Sequence, residues 1–147
     1  MKSLYMEHTT VEVSKTVGEI SACLQAIGAM SITSTFKNMR ISGVTWAMLW
    51  NGKQVHFKMP ARVEPVFGIM RKRRGRMSER DTNRLMEQAE RVAWRQLLRW
   101  IQAQTALIET QMVKPTEPFV GYAVTPDGRT MHDSFEAHLA ITDGSEG

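Results

Sequence analysis

Five of the six residues from Arg71 to Arg76 are cationic: Arg71, Lys72, Arg73, Arg74 and Arg76. Charges so close repel one another, so the run is expected in an exposed loop or at a helix end. Such a run attracts phosphates by releasing their condensed counterions. Beyond it, Arg80, Arg84, Arg91, Arg95 and Arg99 follow at intervals of four, seven, four and four. At about 100° per residue those intervals place all five on one narrow helical face. Arginine suits planar, two-pronged contacts to phosphate and stacking on bases. Glu87 is spaced to pair with Arg91, and most of the row has no acidic neighbour of its own. Lys53 and Lys58, with His56 between them, extend the basic track on a second element. Three readings of this set stay open: a grip on nucleic acid, a match to an acidic protein surface, and a merely solubilising face.

Other chemistry is sparse. There is no P-loop, no glycine-rich dinucleotide fingerprint, no nucleophile elbow and no HExxH. His132, Asp133, Glu136 and His138 form the one cluster of metal-ligating residue types, at a spacing that matches no familiar ligand set. Glu64, Asp81, Glu87 and Glu90 lie beside the basic region and have the chemistry to hold Mg²⁺ for phosphodiester cleavage. Their ordinary role is helix capping and pairing, so a nuclease is the minority reading. No catalytic residue, metal or cofactor is assigned. The single Cys23 excludes an internal disulfide and a cysteine zinc cluster, and reads as a small core residue.

The elements that must position these residues follow from composition and periodicity. The chain has 147 residues, 42% hydrophobic and 23% charged, enough to bury a core and too apolar for wholesale disorder. Its long uncharged stretches, 20–36 and 41–52, are studded with polar residues, so neither is expected to span a membrane. With no leader evident at the N-terminus, a reducing cytoplasm is the expected setting. The net charge of +4 is unevenly spread: Arg62 to Arg99 sums to +6 and the remainder to −2.

Ser78 is a good N-cap, followed by Glu79 and Asp81 where the helix dipole favours anions. No Gly or Pro intervenes before about Met112, and Lys114-Pro115 is expected to close the helix. Leu85, Ala89, Val92, Leu97, Ile101 and Ile108 mark its apolar stripe, almost opposite the arginines. Thr16 and Glu19 match a capping box, opening a helix with Val17, Ile20, Leu24 and Ile27 on one face and Gly28 just past its end. Leu4–Val13 is expected to be a first strand and Ser31–Phe36 a second. Arg40–Trp50 and Lys53–Met59 flank Asn51-Gly52, whose two-residue turn pairs Trp50 with Lys53, Met48 with Val55, Trp46 with Phe57 and Val44 with Met59. Trp46 and Phe57 fit a core pair better than base-stacking platforms. Pro60-Ala61 opens a short helix with Pro65 in its first turn. Phe119–Val124 and Thr130–His132 are expected to form a last hairpin around Pro126-Asp127-Gly128. The expected fold is one α+β domain over residues 1–142, a small antiparallel sheet packed against both helices, with a frayed tail at 143–147.

The stretches Met59–Glu64, Ala89–Arg95 through Ala106–Glu109, and Tyr122–Thr130 resemble a small family of uncharacterised bacteriophage and prophage proteins. The resemblance spans most of the chain from Lys15 to about Thr130. It implies a bacterial host cytoplasm and assigns no site. The leading expectation is a non-enzymatic, phage-type nucleic-acid-binding protein, weakly sequence-specific, with DNA favoured over RNA and single strands over duplex. The runner-up is a protein-interaction module, an inhibitor or adaptor of a host complex, anchored through Trp94 or Trp100. Homo-oligomer formation is compatible with either.

Overall fold

The computed structural model describes residues 2–145, with side chains through Ile141. The order of elements is α1 (Val13–Ala26), β1 (Met30–Lys37), β2 (Arg40–Trp50), β3 (Lys53–Pro60), α2 (Val63–Lys72), α3 (Glu79–Glu109), α4 (Thr116–Phe119), a 3₁₀ turn (Val120–Tyr122) and α5 (Met131–Ser145). The three strands form one antiparallel sheet in the order β1-β2-β3, with α1 and α3 packed on it. The fold is therefore α+β.

The Asn51-Gly52 turn takes the positive φ values that its sequence invites, 51° and 77°. The β2–β3 register is the expected one throughout, from Trp50 opposite Lys53 to Val44 opposite Met59. Alternation then divides the hairpin. Val44, Trp46, Met48, Phe57 and Met59 face the core, while Leu49, Gln54, His56 and Lys58 are exposed. The Trp46 and Phe57 rings stack at 5.4 Å, and Phe119 meets Trp46 edge-on at 5.5 Å. These rings are sealed from solvent and cannot stack on bases. From α1 come Val17, Ile20 and Leu24, and from α3 Trp94, Leu98 and Ile101. A second, smaller cluster joins Met70 of α2 to Leu85 and Ala89 of α3, with Leu4 packed against it.

Helix ends follow local chemistry where no tertiary contact intervenes. Ser78 caps α3 by accepting a bond from the Asp81 N–H at 3.2 Å. After α1, Gly28 (φ 97°) donates to the Gln25 carbonyl and Ala29 to that of Leu24, the paired bonds of a Schellman end. The same pattern ends α3 at Gln111 (φ 62°), before Lys114-Pro115 is reached.

Three expectations are corrected. Leu4–Val13 forms no strand: Tyr5–His8 is a turn, and the backbone carbonyls of Tyr5, Glu7 and Thr9 accept from the Gln96 and Gln88 side chains of α3. Thr16 is not an N-cap. The helix begins a turn earlier at Val13, and Thr16 is buried inside it, its hydroxyl engaged by Arg95. The last hairpin shrinks to a single bridge of Val124 with Thr130, because Thr116–Tyr122 is helical, and Ala123 bridges instead to Phe57 of β3. Thr130 instead starts α5, accepting from the Asp133 N–H at 3.2 Å. The frayed tail expected at 143–147 falls partly on α5, drawn to Ser145, and partly outside the described residues.

Candidate nucleic-acid interface

The α2–α3 connection concentrates charge because α2 ends on cations and the link and the opening turns of α3 add more. Arg71 and Lys72 close α2, Arg74 and Arg76 lie in the link, and Arg80 and Arg84 sit in the first turns of α3. All six are exposed, and none makes an ion pair among the described residues. Arg71 is steadied over the Phe67 ring, its guanidinium 5.9 Å from the centroid. From Arg71 to Arg84, seven cations meet only Glu79 and Asp81, so this tip alone carries more positive charge than the whole chain nets.

Arg73, in the middle of the run, is different. It is half-buried, pairs with the Glu7 carboxylate, and donates to the Lys2 carbonyl at 2.6 Å. It therefore anchors the N-terminal segment rather than facing solvent.

The arginine row of α3 divides likewise. Arg91 donates from Nε (3.0 Å) and Nη2 (2.7 Å) to the Gln88 side-chain oxygen, and the expected pairing with Glu87 does not form. Gln88 in turn donates to the carbonyls of Glu7 and Thr9, each at 2.9 Å. Gln96 reaches the Tyr5 carbonyl at 2.8 Å. Arg95 is buried, with Nη1 3.2 Å from Glu19 and 3.3 Å from the Thr16 hydroxyl, both on α1. Arg99 is exposed and donates to Gln102 at 2.8 Å. The middle of this face is thus covered by α1 and the N-terminal segment, which corrects the expectation of a continuous solvated row. Periodicity shows which residues share a face; it does not show which neighbour covers it.

The sheet lysines do not join the tip. Lys53 is exposed beside a turn whose Trp50 and Asn51 line a groove with Lys114, Pro115 and Thr116, just beyond the far end of α3. That helix is about 45 Å long at 1.5 Å per residue, so Lys53 and the basic tip lie at opposite ends. Lys58, also exposed, lines a cleft with Arg62, Trp100, Tyr122, His132 and Asp133. Sequence reasoning missed Arg62 as a site residue; the signal was its place just after the Pro60-Ala61 break, where the chain leaves the sheet. Trp94 is fully buried and cannot anchor a surface contact, whereas Trp100 is half-buried.

The Asp127 carboxyl is held at about 2, chiefly by the Thr125 hydroxyl and then by the Arg129 backbone N–H and guanidinium. The turn beside Gly128 and Thr130 of the cleft is therefore ionised across the physiological range. His132 pairs with Glu136 one turn on at 3.1 Å, and no three His, Cys, Asp or Glu side chains converge among the described residues. No helix among them is long and apolar enough to cross a membrane. No family model, no curated protein and no solved structure matches the chain.

Proposed function

We propose that the protein binds nucleic acid, without catalysing a reaction on it, through phosphate contacts at the α2–α3 tip. The observation that carries this reading is the set of six exposed cations there, free of ion pairs among the described residues. A solubilising surface ordinarily mixes signs. Here repulsion between neighbouring cations is left in place, a cost that a polyanion relieves. Arg99 and Lys58 add outlying contacts, while Arg73, Arg91 and Arg95 act in holding the fold together. Contacts of this type read the backbone and carry little sequence information. The setting that goes with this reading is a bacterial host cytoplasm and a phage or prophage origin.

The test is fluorescence anisotropy with labelled single-stranded and duplex oligonucleotides across a salt series. Each phosphate contact contributes about −0.7 (single strand) or −0.9 (duplex) to the slope of log affinity against log salt. Neutralising Arg71, Lys72, Arg74 and Arg76 together should weaken binding and flatten that slope by about 3. An unchanged slope removes the tip as the site.

A second reading, a protein-interaction module, is favoured by α5. Met131, Phe135 and Leu139 recur every four residues on that helix and are all exposed. Capture of a host protein that survives nuclease treatment, and is lost with Phe135→Ser, would support it.

A further inference from the structure

Two cavities meet at Pro60, Arg62, Trp100 and Tyr122. One, of about 320 Å³, extends to Lys58 and to His132 and Asp133 at the start of α5. The other, of about 290 Å³, runs along α3 past Gln96 and Leu97. Lys58 and Arg62 are exposed, and neither has an ion pair among the described residues. Trp100 is half-buried and fixed edge-on against Phe119 at 5.6 Å and Tyr122 at 6.1 Å. A fixed aromatic pair offers a flat base a surface at little entropic cost, and two unpaired cations beside it suit a phosphate. Asp133 is the single carboxylate on this lining. It opposes a bare anion, and it offers an acceptor to sugar hydroxyls. The size lies at the lower end for small-ligand sites.

We propose that this cleft binds a nucleotide, with Lys58 and Arg62 on the phosphate and Trp100 and Tyr122 against the base. The nucleotide is either a free nucleoside phosphate or one unpaired unit of a bound strand. In the second form the proposal rests on the nucleic-acid reading above. The cleft is separate from the basic tip, so the two sites fail separately.

The experiment follows the tryptophan indole N–H signals of the ¹⁵N-labelled full chain by NMR, with Trp100 assigned through Trp100→Phe. The titrants are AMP, adenosine, inorganic phosphate and a 5′-phosphorylated single-stranded oligonucleotide. The Trp100 signal should shift saturably with AMP, the oligonucleotide or both. An effect of the oligonucleotide alone assigns the cleft to a strand unit, and an effect of AMP assigns it to the free nucleotide as well. Adenosine and phosphate alone should bind at least tenfold more weakly than the ligand that does bind. The exposed double variant Lys58→Ala/Arg62→Ala should lose at least tenfold in that affinity with its spectrum otherwise intact. Neutralising Arg71, Lys72, Arg74 and Arg76 should leave the response to AMP unchanged; if that variant also keeps full affinity for the oligonucleotide, the tip fails as the nucleic-acid site while the cleft stands. A Trp100 signal unmoved by AMP and oligonucleotide alike, equal binding of adenosine, or undiminished binding in the double variant overturns the proposal.

Discussion

Arg95 on α3 and Glu19 on α1 meet at 3.2 Å, and the Thr16 hydroxyl sits 3.3 Å from the same Nη1. The arginine is almost wholly enclosed, whereas about a third of the Glu19 side chain remains exposed. The pair is thus a one-sided burial, in which a charged guanidinium depends on a partly wet carboxylate and a hydroxyl. The arginine Nε has no partner of its own, so little redundancy protects it.

Arg95→Ala should therefore cost stability rather than binding. Loss of a buried partner costs about 3–5 kcal/mol when both charges are enclosed, and solvent around Glu19 brings the expectation to about 2–3 kcal/mol. Urea unfolding measures it. A variant of native stability that binds oligonucleotides more weakly would return Arg95 to the interface.

The N-terminal segment should loosen with Gln88→Ala. Two hydrogen bonds to the carbonyls of Glu7 and Thr9 are lost, each contributing about 0.5–1.5 kcal/mol net. Amide exchange in residues 4–10 should accelerate while that of the sheet is unchanged. Uniform acceleration would mean that the contact supports the whole fold.

Gly43→Ala should destabilise the sheet. A Cβ there would stand 2.8 Å from the Met59 carbonyl oxygen and 3.2 Å from the Pro60 Cα, backbone atoms that cannot step aside. The expected loss is about 2 kcal/mol, seen as a melting temperature lower by about 6 °C. A native melting temperature would show that β3 can shift at its Pro60 end.

Cys23 should be a slow nucleophile. Burial and then the carboxylates of Glu19 and Glu109 raise its thiol above the ordinary value of 9.0. All three oppose the thiolate, so alkylation by iodoacetamide at pH 8 should be several-fold slower than in the urea-unfolded chain, the gap closing as pH rises. Equal rates at pH 8 would contradict the half-buried placement.

The hairpin was legible because its determinants are local. Asn51-Gly52 accepts positive φ, and strict alternation then dictates which side chain lies opposite which. Ser78 and Gly28 were legible for the same reason, since a cap involves residues only a few positions away. Thr16 misled because its hydroxyl serves a partner 79 positions distant, a demand that no local pattern records. Phe119–Val124 and Thr130–His132 misled because the first begins inside the Thr116–Tyr122 helical turns and the second enters α5, leaving Val124 and Thr130 as the one bridge between them.

The amino-acid sequence by itself determined the α+β class, the register of the hairpin, the buried places of Leu85, Ala89, Val92 and Ile101 on α3 and the charge of the α2–α3 tip. Each depends on spacing along one element or on charges that neighbour one another in the chain. Only the tertiary structure decided which arginines reach solvent. Arg73 and Arg95 have the same chemistry as Arg74 and Arg99, yet Glu7 and Glu19 arrive from distant parts of the chain to neutralise them. It also brought Lys58, Arg62, Trp100 and Tyr122 to one cleft. They come from three separate parts of the chain, the end of β3, α3 and the 3₁₀ turn, and a cleft between elements exists only once those elements are packed.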